Sequence, residues 1–91
     1  MYEEILEIID MFMNMKPKKT KEGYLLVRDK NYKLVWEPKS YGGILWIYRT
    51  NSDDKINNMA MVIIENGKVK FVSNEKLVEE VIYYYYTWKK R

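Results

Sequence analysis

Neither histidine nor cysteine occurs in this chain, which removes the side chains most used for imidazole acid–base work, thiol chemistry and zinc binding. The carboxylates that remain are poorly spaced for chemistry. Asp53 and Asp54 are adjacent, whereas a Ca²⁺ loop takes its ligands from alternating positions. Glu79 and Glu80 lie together on a helical stretch, and Glu3 and Glu7 make an ordinary solvated helix pair. Gly42-Gly43 lacks the Lys and Ser/Thr that complete a phosphate loop. No reacting centre emerges, so the expectation is a non-enzymatic protein with no catalytic residue, metal or cofactor.

What remains is the chemistry of positive charge. Lys16, Lys18, Lys19 and Lys21 crowd into residues 16–21, Lys68 and Lys70 share a strand, and Lys89, Lys90 and Arg91 follow the last helix. Such clusters hold nucleic-acid phosphates without reading sequence, and their binding falls steeply with salt. The overall balance is modest, with a net charge of +3 and a sequence pI of about 9.0. Solvation and complementarity to helix dipoles are the commoner uses of such runs. Exposed rings beside the lysines would add a stacking platform for bases, and 15% of the residues are aromatic. The register set out below sends Tyr32, Trp36, Trp46 and Tyr48 into the core instead. Tyr24, Tyr41, Tyr83 and Tyr86 are left as exposed rings.

The elements that must position these groups follow from periodicity and punctuation. Ile5, Ile8, Ile9 and Phe12 form one stripe of a helix over residues 2–15, which Pro17 ends. Residues 16–21 read as a linker. Strands are expected at 24–28, 31–37, 44–50, 59–65 and 68–73, with a Pro- and Gly-punctuated loop at 38–43 and a polar loop at 51–58. Asn66-Gly67 is the signature of a two-residue type I′ hairpin, because both residues tolerate positive φ. Ser73 or Asn74 can cap a helix over 74–90 whose stripe is Leu77, Val78, Val81, Tyr85 and Trp88. The fold class expected is α+β: an N-terminal helix, a five-stranded antiparallel β-meander and a C-terminal helix, as one domain over 1–91.

Pairing Arg28 with Asn31 and Glu65 with Lys68 sorts the strands onto two faces. The core face receives Leu25, Val27, Tyr32, Leu34, Trp36, Ala60, Val62, Ile64, Val69 and Phe71. In the third strand the charge of Arg49 argues that odd positions point outward, which adds Ile44, Trp46 and Tyr48 to the core. The second face is then Leu26, Arg28, Lys33, Val35, Leu45, Ile47, Arg49, Met61 and Ile63. That mixture of aliphatic and basic residues is more apolar than a freely solvated face, and it marks a contact surface unless a helix covers it.

The functional expectation is a small basic binding domain that forms a homodimer through this second face and contacts nucleic acid through its basic segments. The alternative is a protein-interaction module, a small regulator or a virus-encoded inhibitor docking on a host protein through the same face. No apolar run approaches the roughly 20 residues of a membrane span, and Glu3, Glu4 and Glu7 are unlike a secretory leader. A soluble cytoplasmic protein is expected. Abundant Lys and Glu with no Gln lean towards a thermophilic archaeal or viral source, against which the seven asparagines argue.

Overall fold

A computed structural model describes residues 2–52 and 56–89, without the side chains of 88 and 89. Trp88 and Lys89 as side chains, and Lys90 and Arg91 altogether, therefore lie outside the described residues. The elements are α1 (Glu3–Met13), β1 (Lys18–Thr20), β2 (Gly23–Arg28), β3 (Tyr32–Lys39), β4 (Gly42–Arg49), β5 (Met59–Glu65), β6 (Lys68–Val72) and α2 (Glu75–Lys89). The strands form one antiparallel meander in sequence order. The α+β class and the helix–sheet–helix order match the expectation, but the sheet has six strands rather than five. The additional strand is the segment read as a linker: Lys18 pairs with Leu25 and Thr20 with Gly23. Three residues are too few to show a period, and a lysine-rich edge strand has the composition of a loop.

Both helices cover the same face. The core joins Ile5, Ile8, Ile9 and Phe12 of α1 and Leu77, Val78, Val81 and Tyr85 of α2 to Leu26, Leu34, Leu45, Ile47, Ala60, Val62 and Ile64 of the sheet. The predicted helical stripes are thus the buried ones. Leu6 of α1 lies beside Val69 of the β5–β6 hairpin, and α1 leads at its other end into β1. The helix α2 starts where the Asn74 side chain donates to the carbonyls of Asn57 and Met59 (3.2 and 3.0 Å). Its far half reaches Asp29 and Asn31, in the β2–β3 turn. The two helices therefore cross the strands in the same sense, from the β6 side to the β1 side. They converge where Phe12 meets Tyr85 edge to face at 5.4 Å. Among the described residues no helix is long and apolar enough to cross a membrane.

The Asn66-Gly67 hairpin forms as its residues require, with φ of 53° and 76°. Elsewhere the register departs from simple alternation. Residues 38–43 are mostly strand: β3 and β4 pair down to Lys39 with Gly42. Gly43 is needed there, since a Cβ would lie 2.4 Å from the Trp36 ring. Bulges shift β2 between Leu25 and Val27 and shift the β5–β6 pairing between Ile63 and Ile64. The first sends Leu26 into the core and leaves Leu25, opposite Val35, on the other face. The second moves Phe71 from beside Val62 to beside Ile63, and it is 48% exposed.

The largest correction concerns β4. Leu45 and Ile47 are fully buried under the helices, whereas Ile44, Trp46 and Tyr48 belong to the uncovered face. Arg49 misled the sequence argument because its charge has a partner on α2 and does not depend on solvent alone. It lies on the covered face, where the Glu80 carboxylate of α2 meets it at 2.6 Å. Leu26, Leu45, Ile47 and Arg49 therefore leave the predicted contact surface.

Candidate functional site

The uncovered face is built from rows of cross-strand neighbours. Leu25, Val35, Trp46 and Met61 form one row across β2–β5. Ile44, Ile63 and Phe71 form the next, with Glu37 at its β3 end. Beyond the first row, towards the β2–β3 turn, lie Arg28, Lys33, Tyr48 and Met59. None of these residues belongs to the core beneath the helices. Val35 is only 2% exposed without any helix above it, a sign of how closely its neighbours on this face pack. The Trp46 indole N–H donates to Glu37 at 3.0 Å. That bond, then Lys39 at 3.1 Å, holds the Glu37 carboxyl below its ordinary range. Arg28, Lys33, Val35, Met61 and Ile63 keep the place expected of them, and Ile44, Trp46, Tyr48 and Phe71 join them.

The basic residues do not form one patch. Lys18 and Lys19 lie in β1, with Lys16 just before it and Lys21 in the β1–β2 turn. Lys68 and Lys70 lie in β6, the opposite edge of the sheet. Five strand spacings of about 4.8 Å put the two groups roughly 24 Å apart. The shared sense of the helices instead carries the far half of α2 to the β2–β3 turn, where Tyr85 meets Phe12 near the end of α1. Tyr83 is 77% exposed and Tyr41 39%, but Tyr24 is half-buried, with the Lys19 ammonium 5.8 Å from its ring centre.

Where α2 meets β3 and β4 lies a polar arrangement that the sequence did not reveal. Arg49 donates to both Glu80 oxygens, at 2.6 and 3.0 Å, and its Nε donates to Asn58 at 2.7 Å. Tyr32 adds a hydroxyl to Glu80 at 3.1 Å. The Arg49 hydrogen bonds, opposed in part by burial, hold the Glu80 carboxyl below its usual range. Nearby, Asp29 accepts from the Asn31 and Tyr32 amides and from the Tyr85 hydroxyl, each at 2.8 Å. Burial works against ionisation of Asp29, yet these bonds keep its carboxyl below the ordinary value. Burial, then the Asp29 bond, pushes the Tyr85 hydroxyl far above the tyrosine range. The network fastens α2 to the sheet. Its members are far apart in sequence, and no spacing rule would have linked them.

Bordering this network, a cavity of about 440 Å³ opens at the end of the sheet that carries the β2–β3 turn. It is lined by Glu22, Arg28, Lys33, Tyr48, Arg49, Thr50, Ser52 and Asn58. Arg28 and Lys33 face each other directly across β2 and β3. The Lys33 ammonium lies 5.5 Å from the Tyr48 ring centre. Burial, then Glu22 and Glu37, raises the Tyr48 hydroxyl above its ordinary value, so it is a donor at neutral pH.

No family model, curated protein or solved structure matches the chain. The functional reading has to come from these surfaces.

Proposed function

We infer that the protein is a non-enzymatic binding domain that pairs with a second copy through the uncovered sheet face and contacts nucleic acid along its β1 side. The observation that carries the pairing is a sheet with both helices on one face and contiguous half-buried Ile44, Trp46, Met61 and Ile63 with exposed Phe71 on the other. Contiguous apolar side chains that no helix covers mark a contact surface. Six strands of about 4.8 Å spacing and roughly 20 Å length present a face of about 500 Å². Two such faces together bury on the order of 1,000 Å², which reaches the lower bound for a specific interface. The rim carries both signs, Lys39 and Lys68 with Glu37 and Glu65, so a two-fold pairing can match unlike charges.

The nucleic-acid half of the reading rests on Lys16, Lys18, Lys19 and Lys21, with Arg28 on the neighbouring strand β2 and Lys33 opposite it on β3. The protein-interaction alternative keeps one observation in its favour. Lysines occupy both edge strands, where they also prevent unwanted strand addition.

Light scattering tests the pairing. The wild type should have the mass of a dimer, and Ile63→Glu should give a folded monomer, because a buried unpaired carboxylate is costly only in the interface. A wild-type monomer, or an unchanged dimer in the variant, overturns it. Oligonucleotide titration tests the second half. Binding should be clear at about 50 mM salt and at least tenfold weaker at about 200 mM. Lys18→Ala with Lys19→Ala should weaken it evenly for all sequences and flatten the salt slope. Absence of binding at the lower salt leaves the protein-interaction reading.

A further inference from the structure

We propose that the cavity beside Tyr48 is a binding site for a phosphate group attached to a nucleoside, with Arg28 and Lys33 as the phosphate ligands and the Tyr48 ring beside the base. Three features point there together. Arg28 and Lys33 form a direct cross-strand pair of like charge, an arrangement that costs stability, and the Glu22 carboxylate that lines the same cavity makes no ion pair with either among the described residues. Neither has a carboxylate partner among the described residues: the ion pairs there use Lys39 with Glu37 and Arg49 with Glu80. A concave space then opens at this pair, where an unrelieved repulsion alone would need none.

Its size and chemistry fit the ligand class. About 440 Å³ lies in the range of small-molecule sites and accommodates a nucleotide. Arg28 supplies the planar fork suited to phosphate oxygens, and Lys33 a second charge on the strand next to it. The Tyr48 ring lines the same space, so a base can stack there while Lys33 turns from the ring to the phosphate. The Tyr48 hydroxyl and Thr50 add neutral polar groups to the wall, and Glu22 can accept from a ribose hydroxyl or a base amine. Arg49 contributes field rather than a free fork, because Glu80 and Asn58 already engage it.

The site deepens the nucleic-acid reading without requiring it, since the same chemistry serves a free nucleotide or a strand. Amide chemical shifts of the labelled full chain should be followed during titration with inorganic phosphate, adenosine monophosphate and a short oligothymidylate. Shifts should centre on Arg28, Lys33 and Tyr48, with the nucleoside phosphate tighter than phosphate alone. Saturation by the mononucleotide identifies a nucleotide site, and saturation by the oligonucleotide alone identifies a strand site. Arg28→Gln should weaken binding at least about tenfold, the loss of one charge-assisted contact. It should also leave the melting temperature equal or higher, because it relieves the like-charge pair, a gain no purely structural role would give. Should that variant fail to fold, Lys33→Gln carries the same comparison. Absence of shifts at these residues with every probe, or unchanged affinity in the variant, overturns the proposal. Oligonucleotide binding that persists in Arg28→Gln and is lost in the Lys18/Lys19 variant removes the cavity from the nucleic-acid reading and leaves that reading standing.

Discussion

At the scale of the residue, Arg49 shows how little a side chain's type says about its surroundings until its partner is known. An arginine near the end of a strand ordinarily belongs outside. Here Glu80, from an element thirty-one residues away, neutralises it with two hydrogen bonds. The pairing gives the fold a dependence on pH whose sign is fixed by the depressed carboxyls. Glu80 and Asp29 both ionise more readily in the folded state than in the unfolded chain. Their contribution is complete above the ordinary carboxylate range of about 4 and is lost as pH falls through the lower folded values. Thermal melts should therefore lose midpoint steadily below about pH 4.5. Glu80→Gln should lower stability by about 1 kcal/mol at pH 7, a discounted figure for a pair about a third exposed, and should lose less than wild type on acidification. Parallel losses in the two proteins would show that the pair contributes nothing linked to pH.

Elements were legible where each carried its own period or its own stop. The stripes Ile5–Ile8–Ile9–Phe12 and Leu77–Val78–Val81–Tyr85 repeat at helical spacing, and both are buried as expected. Asn66-Gly67 marks its turn because few other residue pairs accept two positive φ angles. The strands β3 and β5 alternate cleanly, and their faces are the expected ones. The misassigned faces share one cause, which is that strand alternation has two phases and only tertiary partners choose between them. Ile44–Arg49 is apolar on both faces, so a single charged residue decided the phase, wrongly. At Leu26 and Lys70 a bulge reset the phase within a strand, and nothing in the local sequence announces one. The candidate site suffered most: Trp46 and Tyr48, assigned to the core, are on the uncovered face. Of the second-face residues named from sequence, Lys33, Val35, Met61 and Ile63 lie on the uncovered face because the phase of β3 and β5 was read correctly.

At the scale of the molecule, the two layers decide what each face of the sheet is for. The Cα radius of gyration is 12.2 Å, the value of about 12 Å expected for a compact chain of this length. The open face is therefore a property of a tightly packed unit. A chain of this size builds one core, and that core lies between the helices and the sheet. Neighbouring residues on β4 then belong to different problems. Leu45 is fully buried under the helices, and Leu45→Ala should cost about 2–5 kcal/mol of folding free energy at any protein concentration. Ile44 looks out on the other side, and Ile44→Ala should cost the monomer less than about 1 kcal/mol while weakening self-association. Its melting temperature should match the wild type in dilute solution and fall below it as concentration rises, because only the associated form loses the contact. Two melting series across a hundredfold range of concentration separate these outcomes. Equal losses in both variants, independent of concentration, would mean that the uncovered face is core in its own right and has no partner to meet.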